Sequence, residues 1–283
     1  MFLDRLSLKN LRNIKEANLT LHNKTNVIIG ENAAGKTTLL EAVDILSRGR
    51  SFRTNKTENL VRHGASGLYV GGTTGPDKKK LEIEKSKNRT KISVGGKEEK
   101  KQSKLAQELA IQSIHPNSHS LIEGPPSERR AFLDWGLFHV EHEFRKEWSS
   151  YVKILRQRNE ALKSGRDDEK TWMEKLAVSG QAVSLLRERY VLGLEKSIIE
   201  TQKYLMPESE VMFYYEKGWG KEKSFMEALI EKRGLDADRG YTSCGPQNAD
   251  VRIMLNNKEA QKICSRGQQK LIANIMLLSQ AKD

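Results

Sequence analysis

The feature that constrains this chain most is the loop from Gly30 to Thr37, which reads glycine, four residues, glycine, lysine, threonine. The apolar run Val27 to Ile29 predicts a buried parallel strand before the loop, and Thr37 to Ser47 has apolar residues at helical spacing. In such a unit, backbone N–H groups and the positive end of the helix converge on phosphates. The sequence therefore predicts an α/β fold that binds a nucleoside triphosphate, ATP above all.

Each residue type in the loop has a predicted role. Gly30 and Gly35 permit backbone conformations and a close approach that a Cβ would obstruct. Lys36 is expected to reach the β- and γ-phosphates as a point charge, and the Thr37 hydroxyl to complete the shell of a Mg²⁺ ion. A chance match in a polar turn is the alternative, and the flanking strand and helix argue against it. The predicted ATP-binding residues are Gly30, Glu31, Asn32, Ala33, Ala34, Gly35, Lys36, Thr37 and Thr38.

The charge of the chain makes a polyanionic partner plausible. The formal net charge is +12, and half of it lies between Lys78 and Lys101, where ten Lys and Arg oppose four Glu. Leu81, Ile83, Ile92 and Val94 alternate there with polar residues, which favours a solvated, mobile hairpin over a dedicated DNA contact. Solvated surface is the default for every basic residue of this kind. Candidate contacts to DNA phosphates are Arg50, Arg53, Lys56, Lys78, Lys79 and Lys80.

Other classes of protein are disfavoured. Cys244 and Cys264 lie in no CxxC or Cys/His pattern, so free thiols in a reducing cytoplasm are expected and a metal site is not. Asp4 and Arg5 interrupt any signal-peptide core. No run approaches the roughly 18 apolar residues that a membrane span needs. These features together predict a cytoplasmic protein.

The second half of the chain changes character. Beyond Pro125–Pro126, apolar residues recur at helical spacing for about eighty residues, with a helical-hairpin turn at Gly165–Asp168. Strand signals return at Val211 to Tyr215 and from Val251 to Leu255. A final helix is predicted from Gln268 to Lys282.

The first half reads mainly as strands before these helices. Residues 68–101 predict further strands, with Gly71–Gly72 and Gly95–Gly96 as turns. Together these patterns predict one lobe that is built from both ends of the chain and interrupted by the other. The predicted lobes are a P-loop ATPase lobe, 1–115 plus 206–283, and an inserted helical lobe, 116–205.

Several blocks carry a family resemblance: Leu8–Ile14, Gly30–Ala42, Ser47–Thr54, Leu60–Gly64, Gly124–Asp134 and Ser265–Lys270. The first resembles the opening of the SMC/Rad50-like branch of ABC ATPases. The others, in the same order, resemble the RecF family, and the last resembles its ABC signature. The resemblance implies an α/β P-loop ABC-type (Rad50-head-like) ATPase lobe with an inserted helical lobe.

The resemblance also implies a function in DNA repair, replication and the response to DNA damage, including the SOS response. Proteins similar to RecF bind DNA at gaps or junctions, act with the RecR mediator, help load RecA and hydrolyse ATP slowly. They form ATP-dependent homodimers in which the signature of one subunit covers phosphates held by the other. Here that set would be Ser265, Gly267 and Gln268, although Ser265–Gly267 could equally be an ordinary helix N-cap.

The sequence departs from the family pattern at three places. Gln247–Asn248 follow Gly245–Pro246 where His-Arg is usual, and Pro116–His119 stand where an acidic residue is usual. No apolar strand before Asp283 ends in the acidic pair of a Walker B motif, so no catalytic residue is assigned. We therefore expect weak ATP binding, negligible hydrolysis and reduced stability, whether the chain is a fragment or a natural truncation.

Two other function classes are weighed against an ATP-gated DNA clamp. A transporter-type ABC ATPase would need its signature closer to the P-loop than the 229 residues between Lys36 and Ser265. A nucleotide-binding ABC-like module without a DNA role, or an inactive truncated form, is the second alternative. DNA binding that depends on ATP would separate the clamp from the module.

Overall fold

The structure, a computed structural model, describes residues 1–54 and 56–282. The chain divides into two compact units, Met1–Ser113 and Ile114–Asp283. Segment 206–282 packs in the second unit together with helices of 116–205. The predicted assignment of 206–283 to the P-loop lobe stays a prediction. In the part of the chain that is described, no helix is long and apolar enough to cross a bilayer.

The first unit is a six-stranded antiparallel sheet with two helices. Its strand order is β2-β1-β3-β4-β5-β6, so only β1 and β3 are paired neighbours that are not consecutive along the chain. The short β1–β2 turn positions residues beside the P-loop helix. The elements are β1 Phe2–Leu11, β2 Ile14–Thr20, α1 Lys36–Arg48, β3 Gly67–Gly75, β4 Lys79–Ser86, β5 Thr90–Val94, β6 Lys97–Glu99 and α2 Ser103–Glu108.

One face of this sheet is the core of the first unit. Period-two alternation places Leu8, Val70, Ile83 and Ile92 in register across β1, β3, β4 and β5. All four are at most 3% exposed, and they share one hydrophobic cluster with Ile45 of α1. The sheet therefore holds the P-loop helix through apolar packing.

The prediction of a mobile, solvated hairpin in 78–101 is wrong. Leu81 and Ile83 are fully buried, and Ile92 and Val94 are less than a tenth exposed. The alternation was detected correctly, but its apolar face lies against the core while only its charged face meets water.

The predicted buried strand Val27 to Ile29 is also wrong. These side chains are 76%, 40% and 89% exposed, and the segment has no strand conformation. A parallel strand needs neighbours on either side to bond its N–H and C=O groups. No strand among the described residues pairs with this one.

The two glycine pairs have different outcomes. Gly95–Gly96 form the β5–β6 turn with positive φ, as predicted. Gly71–Gly72 lie inside β3 instead of in a turn. A Cβ on Gly72 would lie 2.5 Å from Leu46 Cδ2, so the glycine serves close packing of α1 on the sheet.

The second unit is mainly helical and confirms the predicted helical stretch. Gly165 ends α5 with φ 61°, and a three-stranded antiparallel sheet of order β7-β8-β9 packs with the helices. The elements are α3 Ser120–Glu123, α4 Pro126–Val140, α5 His142–Ser164, α6 Glu169–Leu205, β7 Val211–Glu216, α7 Phe225–Arg239, β8 Asp250–Leu255, β9 Lys258–Glu259, α8 Ala260–Ile263 and α9 Arg266–Lys282.

A buried arginine joins three helices of this unit. Arg158 of α5 is 0% exposed. Its Nε donates to Glu169 Oε1 of α6 at 3.0 Å, and its Nη1 donates to Asp236 Oδ2 of α7 at 2.8 Å. The same Nη1 lies 2.8 Å from Thr242 Oγ1. Arg158 therefore bonds two buried carboxylates, and Arg233 also pairs with Glu169 Oε2 at 2.9 Å.

Candidate nucleotide-binding site

The P-loop opens directly into α1. Gly35 is the N-cap residue with φ 95°, and a Cβ there would lie 3.1 Å from Ile14 Cδ1. Ala33 also has positive φ, 65°. The backbone conformation and the limited space both favour glycine at position 35. The first turn of α1 contains no acidic residue, so nothing there opposes an anion.

The Lys36 side chain folds back over the loop. Its Nζ donates to the carbonyl oxygens of Gly30 and Glu31, each at 2.7 Å. Neutral carbonyls compensate an ammonium charge only in part, whereas a polyphosphate would neutralise it. This arrangement holds the cation at the loop and fits a triphosphate ligand.

The two threonines that follow Lys36 have different surroundings. Thr37 is exposed, so its hydroxyl is accessible to a metal ion or to phosphate oxygens. Thr38 is 5% exposed, and its Oγ1 donates to Asn13 Oδ1 at 3.1 Å. The geometry suits Thr37 as the Mg²⁺ residue and gives Thr38 a bracing contact.

Sequence reasoning missed a residue that braces the loop from outside. Asn13, in the β1–β2 turn, donates through Nδ2 to the Ala33 carbonyl at 2.9 Å and accepts from Thr38. A single side chain thus joins the loop to the start of α1. Asn13 lies in the Leu8–Ile14 block that carried the resemblance, and that block is the one signal that could have found it.

A second brace connects the same turn to α1. Arg12 donates to both carboxylate oxygens of Glu41, at 3.2 and 2.8 Å, and Glu41 is 0% exposed. Ser51 Oγ donates to Glu41 at 2.6 Å, and Arg53 forms a longer ion pair at 3.5 Å. This network holds the segment after α1 against the P-loop helix.

Asn13→Ala is expected to weaken Mg-ATP binding by up to about thirtyfold, because the loop and the start of α1 lose two hydrogen bonds worth about 1 kcal/mol each. Titration calorimetry measures the change. Asn18→Ala, an exposed asparagine on β2, is the matched control and should bind like the unmodified protein. Equal affinity in both variants would show that Asn13 does not shape the loop.

Most of the predicted DNA contacts have carboxylate partners. Lys78 pairs with Asp4, Lys79 with Glu108, and Lys80 with Glu82, at N–O distances of 2.7, 2.6 and 2.8 Å. Arg53 pairs with Glu41 as described. Arg50 and Lys56 are exposed, and among residues 1–54 and 56–282 no carboxylate lies within ion-pair distance of either. These ion pairs therefore hold Lys78–Lys80 against the first unit. DNA contact by any of the six predicted residues stays a prediction.

The signature-like segment lies in the second unit, where Ser265 caps α9. Its Oγ accepts from the Gln268 N–H at 3.3 Å, and Gln268 Oε1 accepts from the Ser265 N–H at 2.9 Å. This reciprocal pair is a capping box, as the N-cap alternative proposed. Ser265 and Gly267 are exposed, and the first turn of α9 contains no acidic residue. The N-cap and the ABC-signature interpretations both fit this geometry, because the capped N-terminus of α9 is exposed.

Gln247 and Asn248, which stand where the family pattern has His-Arg, form local hydrogen bonds. Gln247 Nε2 donates to the carbonyl oxygens of Thr242 and Cys244, while its Oε1 accepts from the Tyr151 hydroxyl. Burial raises the pKa of Tyr151, so this hydroxyl keeps its proton. Asn248 Nδ2 donates to the Ser243 carbonyl. The pair stabilises its own turn.

Comparison with known proteins covers the whole chain. A family described as AAA ATPase domain matches residues 1–232. The DNA replication and repair protein RecF of Vibrio vulnificus is 35% identical over 288 residues, which cover 100% of this chain and 80% of that protein. RecF of Hydrogenovibrio crunogenus is 36% identical over 284 residues, covering 98% and 78%.

Two solved structures are similar in fold to this chain. The structure of the recombination mediator protein RecF with ATP, in the RecFOR pathway, has a TM-score of 0.91 and 27% identity, covering 99% of this chain and 80% of that one. The Smc head domain from Pyrococcus furiosus has a TM-score of 0.58 and 14% identity, covering 99% and 79%. The latter shows the ABC-type ATPase fold alone, and both confirm the predicted α/β fold class.

Proposed function

The chain belongs to the RecF family of DNA replication and repair proteins, and from that premise we propose that it is an ATP-gated DNA clamp of recombinational repair. Family membership makes it an ATP-binding repair protein. The finer assignment covers DNA binding, ATP-dependent dimerisation, cooperation with a RecR-like mediator in RecA loading, and a cytoplasmic location.

The position of the Lys36 ammonium is the observation that carries the ATP part of this proposal. It lies over the P-loop carbonyls at the N-terminus of α1. Backbone N–H groups of residues 30–38 and this ammonium would hold the triphosphate, and Thr37 would hold Mg²⁺. Bound ATP supplies a charged γ-phosphate that a second subunit can recognise.

The exposed first turn of α9 supports the gating step. In the proposed dimer, Ser265, Gly267 and Gln268 of one subunit cover the triphosphate of the other. The Ser265 hydroxyl accepts from Gln268 within its own subunit, so its proton remains available for a phosphate oxygen. Gln268 Oε1 accepts from the Ser265 N–H, so the side-chain Nε2 is the group of Gln268 that can donate to a phosphate oxygen.

Ser265→Asp separates capping from phosphate recognition. Aspartate caps a helix as well as serine does, so the melting temperature should stay within a few degrees. Its carboxylate would repel a γ-phosphate, so ATP-dependent dimerisation should fall at least about tenfold. Sedimentation velocity with and without Mg-ATP measures the change in dimerisation. The control must lie at an accessible serine, which excludes the buried Ser279. Ser209→Asp, outside the helices and strands, is the control.

DNA binding is expected to be electrostatic and independent of sequence. The net charge of +12 favours phosphate contacts, and Arg50 and Lys56 are the exposed candidates. Because Lys78, Lys79 and Lys80 already have carboxylate partners, we expect each to contribute less than Arg50 or Lys56.

Fluorescence anisotropy with a gapped duplex, with and without Mg-ATP, tests the proposed function. We expect tighter binding with ATP, loss of that gain in Lys36→Ala, and an affinity that falls steeply with salt. Affinity that is unaffected by ATP, or no binding at all, would favour the nucleotide-binding module without a DNA role.

A further inference from the structure

Helix α6 has an exposed apolar ridge that its own unit does not cover. Val178, Leu185, Leu192 and Ile199 are 75%, 40%, 66% and 45% exposed, and they recur at every seventh residue. The other side of α6 is in the core. Isolated exposed apolar residues are common, but four in one heptad register form a continuous line.

The seven-residue spacing indicates the shape of the partner. A straight helix drifts by about 20° per heptad, so a strict seven-residue line winds slowly around α6. Only another helix that wraps with a left-handed supercoil follows such a line. The ridge extends over about 30 Å, at about 1.5 Å per residue from Val178 to Ile199. Its geometry therefore fits a helix of similar length.

Opposite charges line the two sides of the ridge. Residues three after or four before a ridge position lie on one side, and these include Glu174, Glu188 and Glu195. Residues four after or three before lie on the other side. That second column is basic and contains Lys175, Arg189, Lys196 and Lys203.

The central charges of both columns are available to a partner. Glu188, Arg189, Glu195 and Lys196 are all exposed. Within residues 1–54 and 56–282, no ion pair involves any of the four. A partner helix with an acidic and a basic edge in the complementary order would pair with both columns.

This helix itself has the required pattern. We propose that the ridge is an interface with α6 of a second copy of this chain, in parallel orientation. A two-fold axis along parallel helices brings the acidic column of one copy against the basic column of the other. An antiparallel pair would place each column against its own like charges. The charge order therefore selects self-association and its direction.

This interface is distinct from the ATP-dependent dimer, because it includes neither the P-loop nor the first turn of α9. A contact along a single helix is small by the standards of stable interfaces, so the dimer should depend on protein concentration. It should form without nucleotide. Both properties make it measurable separately from the proposed function.

Charge exchange between two variants is the decisive experiment. It uses sedimentation velocity on nucleotide-free full chain in a Lys36→Ala background. Glu188→Lys with Glu195→Lys gives two basic columns, and Arg189→Glu with Lys196→Glu gives two acidic ones. Each double variant should be monomeric at concentrations where the parent dimerises, and an equimolar mixture should form a heterodimer.

Single substitutions test the apolar ridge. Leu185→Asp should weaken the dimer at least about tenfold. Ile230→Asp, at an apolar α7 position that is 58% exposed, should leave it unchanged. A monomeric parent at every accessible concentration, dimers unaffected by Leu185→Asp, or a mixture that stays monomeric would overturn the proposal. Circular dichroism confirms that each variant is folded.

Disulfide trapping tests the direction of the pair. In a Cys264→Ser background, Val178→Cys and Ile199→Cys should each form a symmetric disulfide under mild oxidation if the helices are parallel. Cys244 is buried and stays in place as the common background. Disulfides that form only when the two variants are mixed would show an antiparallel pair and contradict the proposal.

Discussion

Lys36→Ala is expected to reduce the affinity for Mg-ATP by about 100-fold or more while the protein stays folded. A charge-assisted hydrogen bond to phosphate contributes about 1.5–3 kcal/mol, and this ammonium can make more than one. In the structure the same ammonium donates to two loop carbonyls, so the variant loses little native packing. Equilibrium titration calorimetry measures the change.

The control for Lys36→Ala is Lys87→Ala, at an exposed lysine in the β4–β5 turn. It removes the same charge from the same unit, so it separates specific recognition from general attraction of an anion. Equal losses in the two variants would show that net charge, and not the P-loop, holds the nucleotide.

Arg158→Ala is expected to cost about 3–5 kcal/mol of the unfolding free energy of the second unit. The substitution removes the cation that bonds the buried carboxylate of Asp236, and it leaves Glu169 paired with the half-exposed Arg233. For a unit of this size, such a loss lowers the melting temperature by about 10 °C. Thermal melts followed by circular dichroism measure it.

Arg166→Ala is the matched control. The Arg166–Asp168 ion pair is nearly half exposed on both sides, so its loss should change the melting temperature far less than the loss of Arg158 does. A shift of similar size in Arg158→Ala would mean that solvent reaches the Arg158 cluster and that its burial has little energetic consequence.

The sequence predicted the start of the P-loop helix better than the sheet around it. The roles of Gly35 and Lys36 depend on local backbone and charge, and the structure shows α1 beginning at Lys36. Val27 to Ile29 failed because a strand is defined by its neighbours, which a local pattern does not contain. The 78–101 hairpin failed because alternation gives two faces and does not say which one meets water.

The side-chain contacts that brace the site could not be predicted from the sequence, for a related reason. Asn13 and Ala33 are 20 residues apart, and Arg12 and Glu41 are 29 residues apart. No local spacing rule connects positions so distant. Arg158 was missed in the same way, because charged residues are normally assigned to the surface. The sequence did not predict helix α7, because Gly234 in its interior weakens the helical signal.

The central claim is that the amides of residues 30–38 and the Lys36 ammonium form a cradle for a polyphosphate. Calorimetric titration of the unmodified protein with Mg-ATP, repeated in the presence of inorganic tripolyphosphate and with adenosine alone, tests it most directly. The account predicts one saturable site for Mg-ATP, competition by tripolyphosphate and no detectable binding of adenosine. No saturable Mg-ATP binding, or binding that tripolyphosphate does not reduce, would contradict it.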